Sequence, residues 1–153
     1  KSDDEDEDGD DTASSGLECM ANITASGAVD ADISYGAEEG CSGSGLDDAA
    51  SFSWGLSTDY TVFLWINSGV DADAGSQSGL VGTVGLMDSD YNEWQSISDA
   101  CAVEITSMEP DPDWEGSIWF TGTATCADPL VSEGGDEVTV GELSFRGSAP
   151  MGR

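Results

Sequence analysis

The sequence predicts an all-β fold, an antiparallel β-sandwich or jelly roll of about eight or nine strands with two local disulfides. Apolar residues recur with a period of two along most of the chain, and no segment shows helical periodicity. Four cysteines fall in two local pairs, Cys19 with Cys41 and Cys101 with Cys126. We expect an acidic flexible tail over residues 1–16 and a single β-sandwich domain over residues 17–153.

The N-terminal half of the domain contains three predicted strand regions. Apolar side chains occupy odd positions from 21 to 35, which indicates one long strand or two that join near Gly27. Residues 36–48 are rich in Gly, Ser and acids, a composition that predicts a loop. Residues 50–56 alternate between apolar and small polar side chains, as in a strand with one face in the core. Residues 60–66 are apolar on both faces and predict a central strand covered on both sides.

Three further elements follow in the C-terminal half. Residues 80–87 predict a strand whose glycines indicate a bend or the close approach of a neighbour. A short strand is expected over residues 94–98. Near the C-terminus the apolar positions change phase between Val140 and Leu143, so we predict a β-bulge at Gly141–Glu142.

The segment between Cys101 and Cys126 predicts a β-hairpin closed at its base by its own two cysteines. With these two residues opposite each other, the pairs on the two faces include Val103 with Ala124, Ile105 with Gly122, Ser107 with Phe120, and Met108 with Trp119. This register makes one face apolar and the other mostly polar, and a shift by one residue would destroy the sorting. Pro110 and Pro112 fall in the turn, where no ladder hydrogen bond is lost.

The cysteines also indicate the cellular compartment. Local pairing is favoured because the hairpin register brings the second pair together, whereas a zinc site is excluded by the absence of histidine and of any C-x-x-C motif. Disulfides imply an oxidising location, so we expect a secreted or cell-surface protein. The sequence shows no signal peptide and no transmembrane run, which predicts a chain that begins after processing.

The charge is strongly one-sided: Lys plus Arg is 3, Asp plus Glu is 32, and the formal net charge is −29. Such a field repels nucleic acid and anionic lipid headgroups, so we expect neither as a partner and no direct membrane insertion. Two interpretations remain open, namely adaptation to a saline environment and a specific calcium-binding surface.

Calcium is the expected cofactor of the acidic motifs. Asp4, Asp6 and Asp8, followed by Gly9, match the first half of a calcium loop, but Ser15 stands where the loop needs glutamate. The D-x-D pairs in predicted loops are the other candidate ligands: Asp71, Asp73, Asp88, Asp90, Asp111 and Asp113. Alternatively, each is an ordinary turn residue that bonds its own backbone.

Tryptophans are the candidate ligand-binding residues. Trp114 at the hairpin tip and Trp119 on its outer face are placed to stack on sugar rings, whereas Trp54 and Trp65 are expected in the core. Asn22-Ile-Thr24 is a glycosylation acceptor on the face expected to be exposed. With no histidine and no free thiol, we expect no catalytic residue and no enzyme.

The cysteine-bracketed hairpin, Gly122-Thr-Ala-Thr-Cys126 and Val138-Thr-Val140 are similar to secreted β-sandwich proteins of bacteria, a resemblance that covers the C-terminal third and implies no activity. We therefore expect a non-catalytic extracellular structural or adhesive protein. It would self-associate into a surface layer or filament, or bind another surface protein, with cations screening its charge. The alternative is a calcium-assisted carbohydrate-binding module.

Overall fold

The computed structural model describes residues 17–56 and 58–151, in which it shows twelve strands and no helix that could cross a membrane. The predicted tail, with Asp4, Asp6 and Asp8, lies outside these residues. The strands are β1 (Met20–Gly27), β2 (Ala31–Tyr35), β3 (Cys41–Leu46), β4 (Ala49–Trp54), β5 (Tyr60–Ile66), β6 (Gln77–Asp88), β7 (Glu93–Gln95), β8 (Cys101–Pro110), β9 (Ser117–Cys126), β10 (Leu130–Ser132), β11 (Glu137–Val140) and β12 (Leu143–Pro150).

The strands form an antiparallel β-sandwich with the order β3-β4-β5-β6-β7-β10-β11-β1-β12-β9-β8, and β2 pairs with β1. One layer contains β3, β4, β5, β7 and β10, and the other contains β2, β1, β12, β9 and β8. Strand β6 belongs to both layers, because residues 83–88 pair with β5 and residues 77–82 pair with β8. Strand β11 also joins the layers, since it pairs with both β10 and β1.

The core between the layers is built around aromatic side chains. The ring of Phe52 on β4 lies 5.4 Å from that of Phe120 on β9 and 5.9 Å from that of Phe145 on β12, measured between centroids. Trp54 is fully buried, and its Nε1 donates a 3.0 Å hydrogen bond to the carbonyl oxygen of Arg146. The all-β prediction is therefore confirmed, with a core drawn from both layers.

Both predicted disulfides are present and local. The Cα atoms of Cys19 and Cys41 are 5.7 Å apart, and those of Cys101 and Cys126 are 4.2 Å apart. The second bridge joins directly opposed residues of β8 and β9, as the hairpin prediction required. Two disulfides are consistent with an extracellular or secreted protein.

The predicted bulge at Gly141–Glu142 is confirmed by the pairing of the flanking strands with β1. Val140 pairs with Ala25, and Ser144 pairs with Asn22, so four steps along one strand match three along the other. The extra residue changes the inward-facing positions from even-numbered to odd-numbered ones, so that Val140 and Leu143 both point into the core.

The hairpin register is confirmed only in part. It follows the prediction from the disulfide as far as Gly122, and there it shifts by one residue. Phe120 pairs with Met108, so its predicted pairing with Ser107 is wrong, as is that of Met108 with Trp119. The bulge on β8 turns Met108 inward, where it is buried on the same side as Phe120.

The predicted loop over residues 36–48 is wrong for residues 41–46, which form strand β3, and it holds for the residues on either side. This strand carries almost no large apolar side chain, and its inward positions include Gly43 and Gly45. A Cβ atom on Gly43 would overlap the carbonyl oxygen of Ser148 on β12. The glycines therefore let β3 lie directly against the backbone of β12. With β3 and the short β10 and β11, the strand count is twelve rather than eight or nine.

Two predicted strands end earlier than expected. Strand β4 ends at Trp54, and Leu56, predicted within it, is exposed. Strand β7 covers three residues instead of residues 94–98. At Ser96 the backbone N–H still donates to the carbonyl oxygen of Val84 at 2.9 Å, but it is the hydroxyl of Ser96 that accepts the 3.1 Å hydrogen bond from the N–H of Val84.

Candidate ligand-binding face

The three D-x-D pairs share one local geometry. The backbone N–H of Asp73 donates to Oδ1 of Asp71 at 3.0 Å. The same bond joins Asp90 to Asp88 at 3.0 Å and Asp113 to Asp111 at 2.9 Å. In each pair the first carboxylate thus closes its own turn, as short acidic side chains commonly do.

The structure brings two of these turns together. Asp73 and Asp111 line one open depression of about 400 Å³, and the backbone N–H of Met108 donates to the carbonyl oxygen of Gly75 beneath it at 2.7 Å. Asp88 lines a different cavity. No cluster of three or more metal-ligating side chains occurs in residues 17–56 and 58–151. Calcium binding by these residues therefore remains a prediction.

The two tryptophans predicted to bind ligand occupy different settings. Trp114 is 70% exposed in the turn between β8 and β9. Trp119 is half-buried on the outer side of β9, opposite Glu109 and Ser148. Their outward placement agrees with the sequence, and their role in binding stays a prediction.

A different aromatic pair lies on the outer face of the first layer. Phe63 and Trp65 are neighbours on the same side of β5, with ring centroids 5.3 Å apart and planes inclined by 7°. Both are half-buried, so the predicted core position of Trp65 is wrong, as is the full coverage of β5 on both sides. The indole of Trp65 lies over Gly85, where an added Cβ would be 3.0 Å from the ring.

Small uncharged side chains extend on both sides of this pair. Strand pairing sets two rows across the sheet: Ser42, Ser53, Phe63, Gly85 and Gln95 in one, and Ser44, Ser51, Trp65 and Thr83 in the other. Directly paired residues of an antiparallel sheet point to the same side. We call these nine residues the neutral face, because none of them carries a charge.

The neutral face is concave beside both aromatic rings. A depression of about 240 Å³ lies between the serines of β3 and β4 and the two rings. A second one, of about 230 Å³, lies on the far side of Trp65 and is lined by Asn67, Ser96 and Ser98. The hydroxyls of Ser44 and Ser51 are hydrogen-bonded to each other at 2.8 Å.

Exposed apolar side chains border this face. Val131 continues the first row beyond Gln95, and Leu46 lies at the end of β3. Both are exposed, as is Val81 of β6. The first layer carries the carboxylate of Glu93 at the border of this face, hydrogen-bonded to Gln95, whereas Asp32, Glu104 and Arg146 interrupt the polar residues across the outer face of the second layer. An uncharged surface with exposed apolar borders is typical of an interaction site.

Free thiol and imidazole groups do not occur among the described side chains. All four cysteines are in disulfides, and the chain has no histidine. Slight burial raises the pKa of Asp88, but hydrogen bonds from the side chain and backbone of Asn92 and from the backbone of Asp90 outweigh it, so the pKa lies below its ordinary value. A general acid at neutral pH needs the opposite shift.

No known protein family matches the chain, and no curated protein or solved structure is significantly similar to it. The function therefore has to be inferred from the surface itself.

Proposed function

We propose that this is a non-catalytic extracellular adhesive protein that binds a neutral polysaccharide on the neutral face. The observation that carries the proposal is the stacked pair of Phe63 and Trp65 beside the serine hydroxyls of β3 and β4, among residues without a charge, on a chain of net charge −29. The two disulfides support the extracellular setting.

Carbohydrate suits this surface because its two kinds of group match the two kinds of side chain. The C–H groups on one face of a pyranose ring are slightly positive and pack on the negative face of an aromatic ring. Sugar hydroxyls both donate and accept hydrogen bonds, as the hydroxyls of Ser42, Ser51 and Ser53 do.

The charge of the molecule favours a neutral polymer over an acidic one. An acidic polysaccharide would be repelled by a protein with 32 acids and 3 bases. A basic ligand would find no carboxylate among the nine residues of the neutral face, and the carboxylate of Glu93 at its border already accepts a 2.7 Å hydrogen bond from Gln95. A neutral polysaccharide is not repelled by the acids, and its binding does not depend on an ion pair.

The proposal is tested by pull-down on insoluble cellulose, chitin and starch, with Trp65→Ala as the diagnostic variant. We expect binding to at least one polymer, with an affinity that falls about tenfold or more in Trp65→Ala, since loss of a stacked ring costs about 1.5 kcal/mol. Each assay is run with calcium and with a chelator, because the sequence also predicts a calcium-assisted carbohydrate-binding module as an alternative.

Trp114→Ala is the matched control, because it removes an exposed indole from the hairpin tip. We expect this variant to bind as the unchanged protein does, and thermal unfolding would show that both variants remain folded. The proposal is wrong if no polymer is bound, or if Trp114→Ala abolishes binding and Trp65→Ala does not.

Self-association is a second candidate function, and strand β2 is the observation that favours it. Among the described residues β2 pairs with β1 alone, so its second edge presents unpaired N–H and C=O groups. A strand of another copy could add to this edge and build a surface layer or filament. Asp32 lies on β2, so cations would be needed to screen such a contact.

A further inference from the structure

The depression on the far side of Trp65 offers a second kind of contact on the neutral face. We call it the Asn67 depression. Its volume is about 230 Å³, and its lining residues are Trp65, Asn67, Thr83, Gln95, Ser96 and Ser98, none of which carries a charge. Small-molecule sites usually measure about 300–1,000 Å³. The depression is therefore too small for a whole sugar chain, and it suits one substituent of a chain that lies on the aromatic rings.

Thr83 is a buried polar residue in the wall of this depression. It pairs directly with Trp65, so the two side chains point to the same outer side of the sheet. Its side chain is only 7% exposed, and its Oγ1 accepts a 2.9 Å hydrogen bond from the backbone N–H of Asp99. In the part of the chain that the structure describes, no group accepts the proton of this hydroxyl. A buried hydroxyl with an unused donor favours a ligand that brings an acceptor atom.

Asn67 lines the same depression with an exposed side chain. Its Nδ2 donates a 3.1 Å hydrogen bond to Oδ1 of Asp99, the residue whose backbone N–H binds Thr83. Asp99 thus holds both side chains, and its φ of 59° is one that aspartate tolerates better than most residues. Among the described residues no donor reaches Oδ1 of Asn67, which is left as a free acceptor. The donor and the acceptor are therefore in place before a ligand binds.

These two groups match a secondary amide better than a hydroxyl group. An amide carries its acceptor oxygen and its donor N–H on separate atoms, so its oxygen can accept from Thr83 while its N–H donates to Asn67. A sugar hydroxyl has a single oxygen for both bonds. The methyl group of an acetamido substituent would pack on the indole of Trp65. We propose that the Asn67 depression binds the acetamido group of an N-acetylated amino sugar, so that the polysaccharide on the neutral face is chitin-like.

Two other nitrogen-containing ligands fit this surface less well. A peptide carries the same amide, but extended peptides are held by unpaired strand edges, and β5 and β6 beside the depression each pair with a neighbour on both sides. A free amino sugar is cationic, and no carboxylate lines the depression. Oδ1 of the nearby Asp99 already accepts the amide of Asn67.

This inference rests on the proposed function for the binding of a polysaccharide, and matched tetrasaccharides test it separately. Chitotetraose carries an acetamido group on each unit, cellotetraose has the same linkage with a hydroxyl group at that position, and deacetylated chitotetraose has an amine there. Isothermal titration calorimetry measures the dissociation constant of each sugar. We expect chitotetraose to bind about tenfold or more tightly than cellotetraose, because the acetamido group adds two hydrogen bonds.

Asn67→Ala is the diagnostic variant, because this side chain is exposed and its removal should leave the fold intact. We expect it to weaken the binding of chitotetraose about fivefold and to leave that of cellotetraose unchanged. Thr83→Val keeps the shape of the side chain, removes its hydroxyl and should have the same selective effect. Asn22→Ala is the matched control, because it removes an exposed asparagine from the second layer. Thermal unfolding shows whether each variant is folded.

The outcomes separate this inference from the proposed function. If Trp65→Ala weakens the binding of a polymer or tetrasaccharide but chitotetraose is not preferred, the acetamido inference is wrong and the neutral face stands. Tighter binding of deacetylated chitotetraose, or an equal effect of Asn67→Ala on chitotetraose and cellotetraose, also contradicts the inference. If N-acetylalanine methylamide binds as tightly as chitotetraose, the ligand is a peptide rather than a sugar. If no polymer and no tetrasaccharide binds, both proposals are wrong.

Discussion

Two glycines of β3 set how closely the two layers approach each other. Gly43 lies against Ser148 and Gly45 against Pro150, both on the C-terminal half of β12. On its other side this half of β12 pairs with β9, whereas β1 pairs only with residues 144–146. Strand β3 therefore covers a stretch of β12 that β1 leaves free, and only residues without a Cβ fit there.

Gly43→Ala should be strongly destabilising. Its Cβ would overlap the carbonyl oxygen of Ser148 and lie 3.2 Å from Cα of Ala149, and both are backbone atoms that cannot rotate away. Overpacking of this kind costs about 1–3 kcal/mol. Chemical denaturation measures the change in the free energy of unfolding.

Gly36→Ala is the matched control for this substitution. Nothing lies within 4 Å of the position of its added Cβ. We expect no loss of stability, or a gain of about 0.5 kcal/mol from the reduced freedom of the unfolded chain. Equal effects of the two substitutions would show that the contact between β3 and β12 is not tight.

The aromatic pair of the neutral face shows what a sequence pattern leaves undecided at the residue scale. Phe63 and Trp65 alternate with Val62 and Leu64, and a strand that is apolar on both faces is usually buried on both. Here the outer face is covered only by the rings themselves and by short serines of β4. The short serines of β4 leave the outer face of β5 open, but this can be seen only when the pairing of β4 with β5 is known.

At the element scale, the turn between β6 and β7 depends on a single carboxylate. Asp88 accepts three hydrogen bonds, from the backbone of Asp90 and from the backbone and side chain of Asn92. Slight burial opposes ionisation, but these bonds favour it more, so the pKa of Asp88 is lowered from its ordinary value. A group with a lowered pKa stabilises the fold above its unfolded pKa, near 3.9, and that contribution is lost as the pH falls through the folded value.

Asn92→Ala should raise the pKa of Asp88 towards its ordinary value, because one donor to the carboxylate is removed. The stability difference between the two proteins should be present at neutral pH and shrink below about pH 4. A ¹³C NMR titration of the Asp88 carboxyl group measures the pKa directly. Ser89→Ala, in the same turn, should leave it unchanged, and an equal shift in this control would refute the assignment to Asn92.

The hairpin of β8 and β9 shows which part of a strand register can be predicted from the sequence. The register from the disulfide to Gly122 follows from the alternation of apolar and polar residues. The bulge beyond it places Met108 in the core, and this depends on what the other layer offers as a neighbour. A phase change within one strand is visible in sequence, as at Gly141–Glu142, only when large apolar residues flank it on both sides.

At the scale of the whole molecule, the distribution of charge separates two kinds of surface. The loops and the outer face of the second layer carry acids, whereas the neutral face carries none. Charge counts alone could not locate this face, because its residues come from five strands that only the fold brings side by side. A partner that binds at the neutral face therefore meets less repulsion from acidic side chains than one that binds at the loops or at the second layer.

The net charge of −29 predicts that salt stabilises the fold without binding at any particular site. Between about 10 mM and about 1 M NaCl the screening length falls from about 30 Å to about 3 Å, which suppresses repulsion among the carboxylates. We expect the unfolding temperature to rise by about 5 °C or more over this range.

Calcium chloride at matched ionic strength separates screening from specific binding. Equal unfolding temperatures in the two salts would mean screening alone, whereas a larger rise in calcium chloride would reveal specific calcium binding. Light scattering on the same samples tests association through β2, because screening of Asp32 should then increase the molecular mass with salt. An unfolding temperature independent of salt would contradict the view that repulsion between carboxylates limits stability, and a constant monomer mass would exclude assembly at the β2 edge.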